Sequence, residues 1–146
     1  MSAPRSTALY TPRMLAAAVE LAEYPFDAEA PYIGHALSRT CGSEITLGCD
    51  VDAKGALANL GMTVKACAVG QASAAIFARN AAGMDRVWLG SMLHAVGSWL
   101  KGEAPDSILP GLELLEGARP HLGRHEAILL PWRAAMDALS KAPLAR

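Results

Sequence analysis

Apolar and polar positions follow two periods along the chain, and the switches between them mark the elements. Met14, Leu15, Ala18, Val19 and Ala22 form one helical stripe. Thr11 stands as its N-cap, Pro12 falls in its first turn, and Tyr24-Pro25 ends it. A loop rich in Pro, Asp and Ala leads to Ile33–Leu37, which reads as a short edge strand. From Glu44 to Val51 the period is two, with Ile45, Leu47, Cys49 and Val51 on one face and Glu44, Thr46 and Asp50 on the other. Asp52-Ala53-Lys54-Gly55 is a turn, and Ala58, Leu60, Met62, Val64 and Ala66 alternate again, which predicts a hairpin.

From Val69 the period becomes helical, with Ala72, Ala75 and Ile76 opposite Arg79 and Asn80, and Gly83 closes the run. Asp85 caps a further helix carrying Val87, Trp88, Met92, Val96 and Trp99 as far as Gly102. Pro105 and Pro110 bracket a loop, Leu112–Glu116 is a short helix, and a last helix runs from about Arg124 to Ser140. Pro131 lies inside it, removes the hydrogen bond that would reach the Ala127 carbonyl, and predicts a kink. Strands followed by helices give an α+β class: a small antiparallel sheet of two to three strands with about five helices packed mainly on one face.

Composition narrows the function. The 146 residues suit one domain spanning 1–146, with 1–10 and 141–146 expected as flexible termini. Alanine accounts for roughly one residue in five and aromatics for 5%, so closely packed thin helices are expected rather than an aromatic core. A net charge of −1 argues against nucleic acid as a partner. No apolar run approaches the ~20 residues needed to span a bilayer. Met1–Tyr10 contains Arg5 but no apolar h-region, so no secretory signal is read there, and a cytoplasmic protein is expected. The three cysteines, Cys41, Cys49 and Cys67, are an odd set in such a chain and point to reduced thiols.

Those thiols divide by position. Cys49 shares the apolar face of its strand and reads as a core residue. Cys41 precedes the first long strand and Cys67 follows the second, so a tight antiparallel connection brings both to the same end of the sheet. Their spacing matches no compact zinc motif; the topology alone supplies the proximity. Cys67 also stands just before a helix, where unpaired N–H groups and the helix dipole stabilise a thiolate, the form that acts as nucleophile and metal ligand. The plainer alternative for both is an inert cysteine.

Other candidates read more simply. His121 and His125 are four apart but lack the glutamate of a metalloprotease helix, and a solvated helix start accounts for them. His94 reads as packed or half-exposed. Trp88, Trp99 and Trp132 read as core, with one able to edge a partner groove. Arg119, Arg124 and Arg133 are a solvated set, or Arg124 stabilises the thiolates. No phosphate loop and no Ser-His-Asp signature is present.

The chain resembles the NifU-like iron–sulfur cluster assembly scaffolds, the group that includes SufU and IscU. Cys41-Gly42 before an alternating strand is similar to the family's Cys-Gly-Asp opening, and Cys67 ahead of Ala72-Ser73-Ala74 is similar to its second cysteine. Leu115-Glu116-Gly117, then Arg124, Leu130 and Trp132, is similar to the stretch around its third. The resemblance covers roughly Tyr24 to Leu139. It implies a scaffold or sulfur acceptor rather than an enzyme, holding iron, a [2Fe–2S] cluster or zinc, with a cysteine desulfurase and other assembly proteins as partners. Cys67 would be the sulfur acceptor or a ligand and Cys41 its partner ligand. The ligand set is incomplete, because Ser43 stands in place of the aspartate and Ala127 in place of the third cysteine. Ser43, Glu126 and His125 are the second-rank donors. A zinc ion or cluster takes four ligands. That shortfall admits a regulatory module that docks on a desulfurase without metal, and a monomer or a homodimer that pools its thiolates.

Overall fold

The computed structural model describes residues 9–103 and 108–143, so Arg5, Pro105 and most of the two termini expected to be flexible lie outside the described residues. Helix α1 (Pro12–Val19) begins as read from sequence: Thr11 Oγ1 accepts the Met14 N–H at 3.1 Å. It tightens into a 3-10 turn, Glu20–Glu23, and ends at Tyr24. The buried side chains of α1 are Met14 and Ala17, whereas Leu15 and Val19 face solvent, which corrects the predicted stripe. The inward line is set by docking on the helix that begins at Ala68, against which α1 packs.

Strands β1 (Tyr32–Leu37), β2 (Glu44–Val51) and β3 (Leu57–Lys65) form one antiparallel sheet in the order β1-β2-β3. Asp52 closes the β2–β3 hairpin by accepting the Lys54 and Ala56 N–H groups on Oδ1, each at 2.9 Å. The even alternation predicted for β3 is broken. Register runs Gly48↔Gly61 and then Asp50↔Ala58, so β3 carries one extra residue, and Asn59 takes up the bulge at φ 51°. Leu57 is therefore the buried residue at that end rather than Ala58.

Helix α2 (Ala68–Ala81) is buried almost all round, from Val69 through Ala78, because α1, β3 and the last helix surround it. Its small side chains permit that close packing. Helix α3 (Arg86–Leu100) is capped by Asp85, whose Oδ1 accepts the Trp88 N–H at 2.9 Å. Trp99 is buried, but Val87 and Trp88 are turned outward, so Trp88 is not a core residue. Leu112–Ala118 is a 3-10 helix, and a second 3-10 turn, Leu122–Arg124, leads into α4 (His125–Ser140). Helical backbone continues through Pro131.

Helix α4 lies across β1 and β2 while α2 backs β3, so the helices occupy one sheet face. A Cβ at Gly34 would collide with the Ala134 carbonyl, which sets how closely α4 approaches β1. The α4 side chains also satisfy the free edge of β1: Asp137 accepts the His35 N–H at 2.9 Å and Lys141 donates to the Ile33 carbonyl. On the opposite face Gly48 and Gly61 admit the Pro25–Ala30 segment, and the Met62 N–H donates to the Tyr24 carbonyl at 2.9 Å. Among the described residues no helix is long and apolar enough to cross a membrane.

Candidate functional site

The pairing Glu44↔Lys65, reinforced by a 3.2 Å ion pair, closes one end of the β2–β3 ladder. Cys41 lies three residues before Glu44 and Cys67 two residues after Lys65, so both thiols are carried at this end. Cys49 is elsewhere: it is fully buried on the helix-facing side of β2, and burial, with Asp50 nearby, pushes its thiol up to about 11. It is neutral and inert at physiological pH.

Cys41 occupies the six-residue connection between β1 and β2. Ser38 N–H donates to the Ser43 carbonyl at 2.8 Å, and Gly42 turns the chain at φ +71°. The thiol is exposed and surrounded by hydroxyls. Its Sγ hydrogen-bonds Ser38 Oγ at 3.2 Å and Ser43 Oγ at 3.0 Å, while Thr40 Oγ1 meets Ser38 Oγ at 3.1 Å. The Ser38 hydroxyl, then that of Ser43, hold the Cys41 thiol below the usual cysteine range by favouring the charged sulfur. Sequence reasoning missed Ser38 and Thr40; the signal was the density of hydroxyl residues in Ser38–Ser43.

Cys67 is the N-cap of α2, half-buried and in extended conformation. Its side chain does not cap the helix and lies beside the Arg124 guanidinium. The neighbouring Cys67 side chain, with a smaller contribution from Tyr10, raises the Arg124 guanidinium above its ordinary range. Of the two alternatives for Arg124, the structure selects contact with a thiol.

The remaining sequence-predicted residues reach this end but are engaged. Glu126 Oε1 accepts the Arg39 N–H at 3.1 Å, tying the start of α4 to the loop that carries Cys41. His125 Nε2 lies 2.8 Å from the Arg119 carbonyl, an acceptor only, so that nitrogen carries the proton. Ser43 is buried and bonded to Cys41. Ala127 is fully buried, with its Cβ 3.5 Å from where a Cβ on Gly70 would stand, so it lies against the first turn of the helix that Cys67 caps. His121 is exposed, in keeping with a solvated position, whereas His94 is exposed on α3 rather than packed or half-exposed.

The donors fit a zinc ion or iron–sulfur cluster in kind but not in number. Two accessible thiols are the soft ligands such centres take. Among the described residues no group of three or more His, Cys, Asp or Glu could hold a metal ion.

No protein-family sequence model matches the chain, and no curated protein does. Solved structures do. The N-terminal part of a nitrogen-fixing NifU-like protein from Brucella abortus is 29% identical, with a TM-score of 0.79 over 90% of this chain and 92% of that one. A candidate iron–sulfur cluster assembly scaffold for the SUF system of Fervidobacterium islandicum is 19% identical, with a TM-score of 0.77 over 90% of this chain and 96% of that one. At those identities the second shows a shared fold, and the first extends the likeness to sequence.

Proposed function

Because the chain is NifU-like in fold and family resemblance, we propose that it serves iron–sulfur cluster assembly as a scaffold or sulfur acceptor, with Cys41 and Cys67 as its working thiols. The observation that carries this reading is the placement of Cys67 at the start of α2, at the same sheet end as the hydroxyl-lined Cys41. It is a single-domain cytoplasmic protein in this reading, a carrier rather than an enzyme. Its partners are a cysteine desulfurase and other assembly proteins.

The sulfur step uses the chain's own groups. The Cys67 thiolate attacks the terminal sulfur of the desulfurase's persulfide, its S–S bond breaks, and the donor leaves as a thiolate while Cys67 becomes the persulfide. Arg124 stands beside the attacking sulfur and offsets its charge. Cys41 stands by as the second ligand for iron, a [2Fe–2S] cluster or zinc, with Ser43, Glu126 and His125 as second-rank donors that would have to leave their present partners. Incubation with a desulfurase and cysteine, followed by mass analysis of Cys67-containing peptides, tests the step. One added sulfur on Cys67 is expected, and its absence alongside a fully active desulfurase would overturn the acceptor role.

One observation favours a second reading. The third position is closed by Ala127 and no three-donor group is found among the described residues, which suits a regulatory module that docks on a desulfurase without metal. Capture of the desulfurase that survives Cys41→Ser with Cys67→Ser, with no metal bound by either form, would favour it.

A further inference from the structure

We infer that the cleft at the end of the sheet remote from Cys41 and Cys67 binds a small organic acid, a monocarboxylate with a short apolar body. The turn between β2 and β3, the start of α3 and the end of α4 meet there around a cleft of about 320 Å³. That turn follows the Val51↔Leu57 pair, whereas Glu44↔Lys65 closes the ladder at the thiol end. No residue that lines the cleft belongs to the thiol site. Clefts that take small molecules span roughly 300–1,000 Å³, and one at the small end of that range holds a short chain rather than a folded partner.

The charges of the lining select the ligand. Lys54 and Arg86 line the cleft, and among the described residues neither forms an ion pair. Arg86 donates from Nε, at 3.0 Å, and from Nη2 to the Leu139 carbonyl in the last turn of α4. Those bonds hold the guanidinium in place and leave its charge uncompensated and further N–H donors to spare. The lining carboxylate, Asp85, spends Oδ1 on the Trp88 N–H. Asp52, in the turn with Lys54, spends its Oδ1 on the Lys54 and Ala56 N–H groups. Two cations, Lys54 and Arg86, thus face one anion, Asp85, which suits a ligand of single negative charge. A second charge, as on phosphate, would be left against Asp85. The rest of the wall is apolar, with Val87, Ala142 and Pro143, and Val87 is left 77% exposed. A short hydrocarbon body covers that surface while its carboxylate meets the two cations.

Titration of the full chain with sodium hexanoate at constant ionic strength, followed by amide NMR spectra, tests this. Saturable shifts are expected at Gly55, Val87 and Ala142, with the amides of Cys41 and Cys67 unmoved. Lys54→Glu and Val87→Asp, both on exposed side chains that the fold does not need, are each expected to weaken binding about three- to tenfold. 1-Hexanol keeps the apolar body without the charge, and inorganic phosphate keeps charge without the body; both are expected to bind more weakly than hexanoate. No saturable shift at these amides, unchanged affinity in either variant, or hexanol or phosphate binding as tightly as hexanoate would overturn the site.

Discussion

The Arg124 guanidinium lies beside the Cys67 thiol, so the residue that leads into α4 and the residue that caps α2 come together at one end of the sheet. Two elements more than fifty residues apart in sequence are thereby brought together, and α4 takes part in the site through its first turn, where Glu126 accepts the Arg39 N–H.

Arg124→Gln should slow alkylation of Cys67 by iodoacetamide about three- to tenfold at neutral pH. A positive charge beside the sulfur is lost, and its effect is discounted because the guanidinium is partly solvated. Peptide-resolved mass spectrometry separates Cys67 from Cys41, whose rate should be unchanged. High salt should narrow the difference between wild type and variant.

Cys41 should ionise at lower pH than an ordinary cysteine, and Ser38→Ala or Ser43→Ala should move that transition upward. The folded state holds this proton less tightly than the unfolded chain. The resulting stability is present above the unfolded pKa and is lost as pH falls through the folded one. Ultraviolet absorbance of the thiolate during a pH titration reads the transition directly.

Cys49 carries the opposite sign. Its folded pKa of about 11 lies above the ordinary cysteine value of about 8.5. Stability should therefore fall as pH rises through that window, since the unfolded chain releases the proton first. Cys49→Ala should flatten this alkaline decline in urea unfolding. It should cost about 1–2 kcal/mol at neutral pH through the cavity it leaves in the core.

Ala127→Cys places a third thiol against the first turn of α2, where Gly70 leaves room for little more than the methyl group. The added sulfur should lower thermal stability by about 1–3 kcal/mol through overpacking. It should also allow a monomer to bind zinc more tightly than wild type does, measured by competition with a chromophoric chelator.

Much of the fold was legible from period alone, and the exceptions have local causes. The run Glu44–Val51 and the helix Arg124–Ser140 come close to the observed elements because one buried face dictates each pattern. β3 departs because Asn59 admits a left-handed residue, a bulge that the alternation of apolar residues does not report. Leu15, Val19 and Trp88 face water because docking partners chose a neighbouring stripe, and hydrophobicity by itself does not name the partner. At the site, the positions of Cys41 and Cys67 follow from hairpin topology. That His125 and Glu126 are engaged by backbone groups of Arg119 and Arg39 depends on tertiary contacts between separate elements, and no local motif encodes it.

The claim that Cys41 and Cys67 together hold the metal is tested most directly by anaerobic reconstitution with ferrous iron and sulfide. Iron content and visible absorbance are measured for wild type and for the Cys41→Ser, Cys67→Ser double variant. Wild type should retain iron and sulfide after desalting and show thiolate-to-iron absorption, and the folded double variant should retain neither. Equal retention by the two proteins, or none by wild type, would contradict the account.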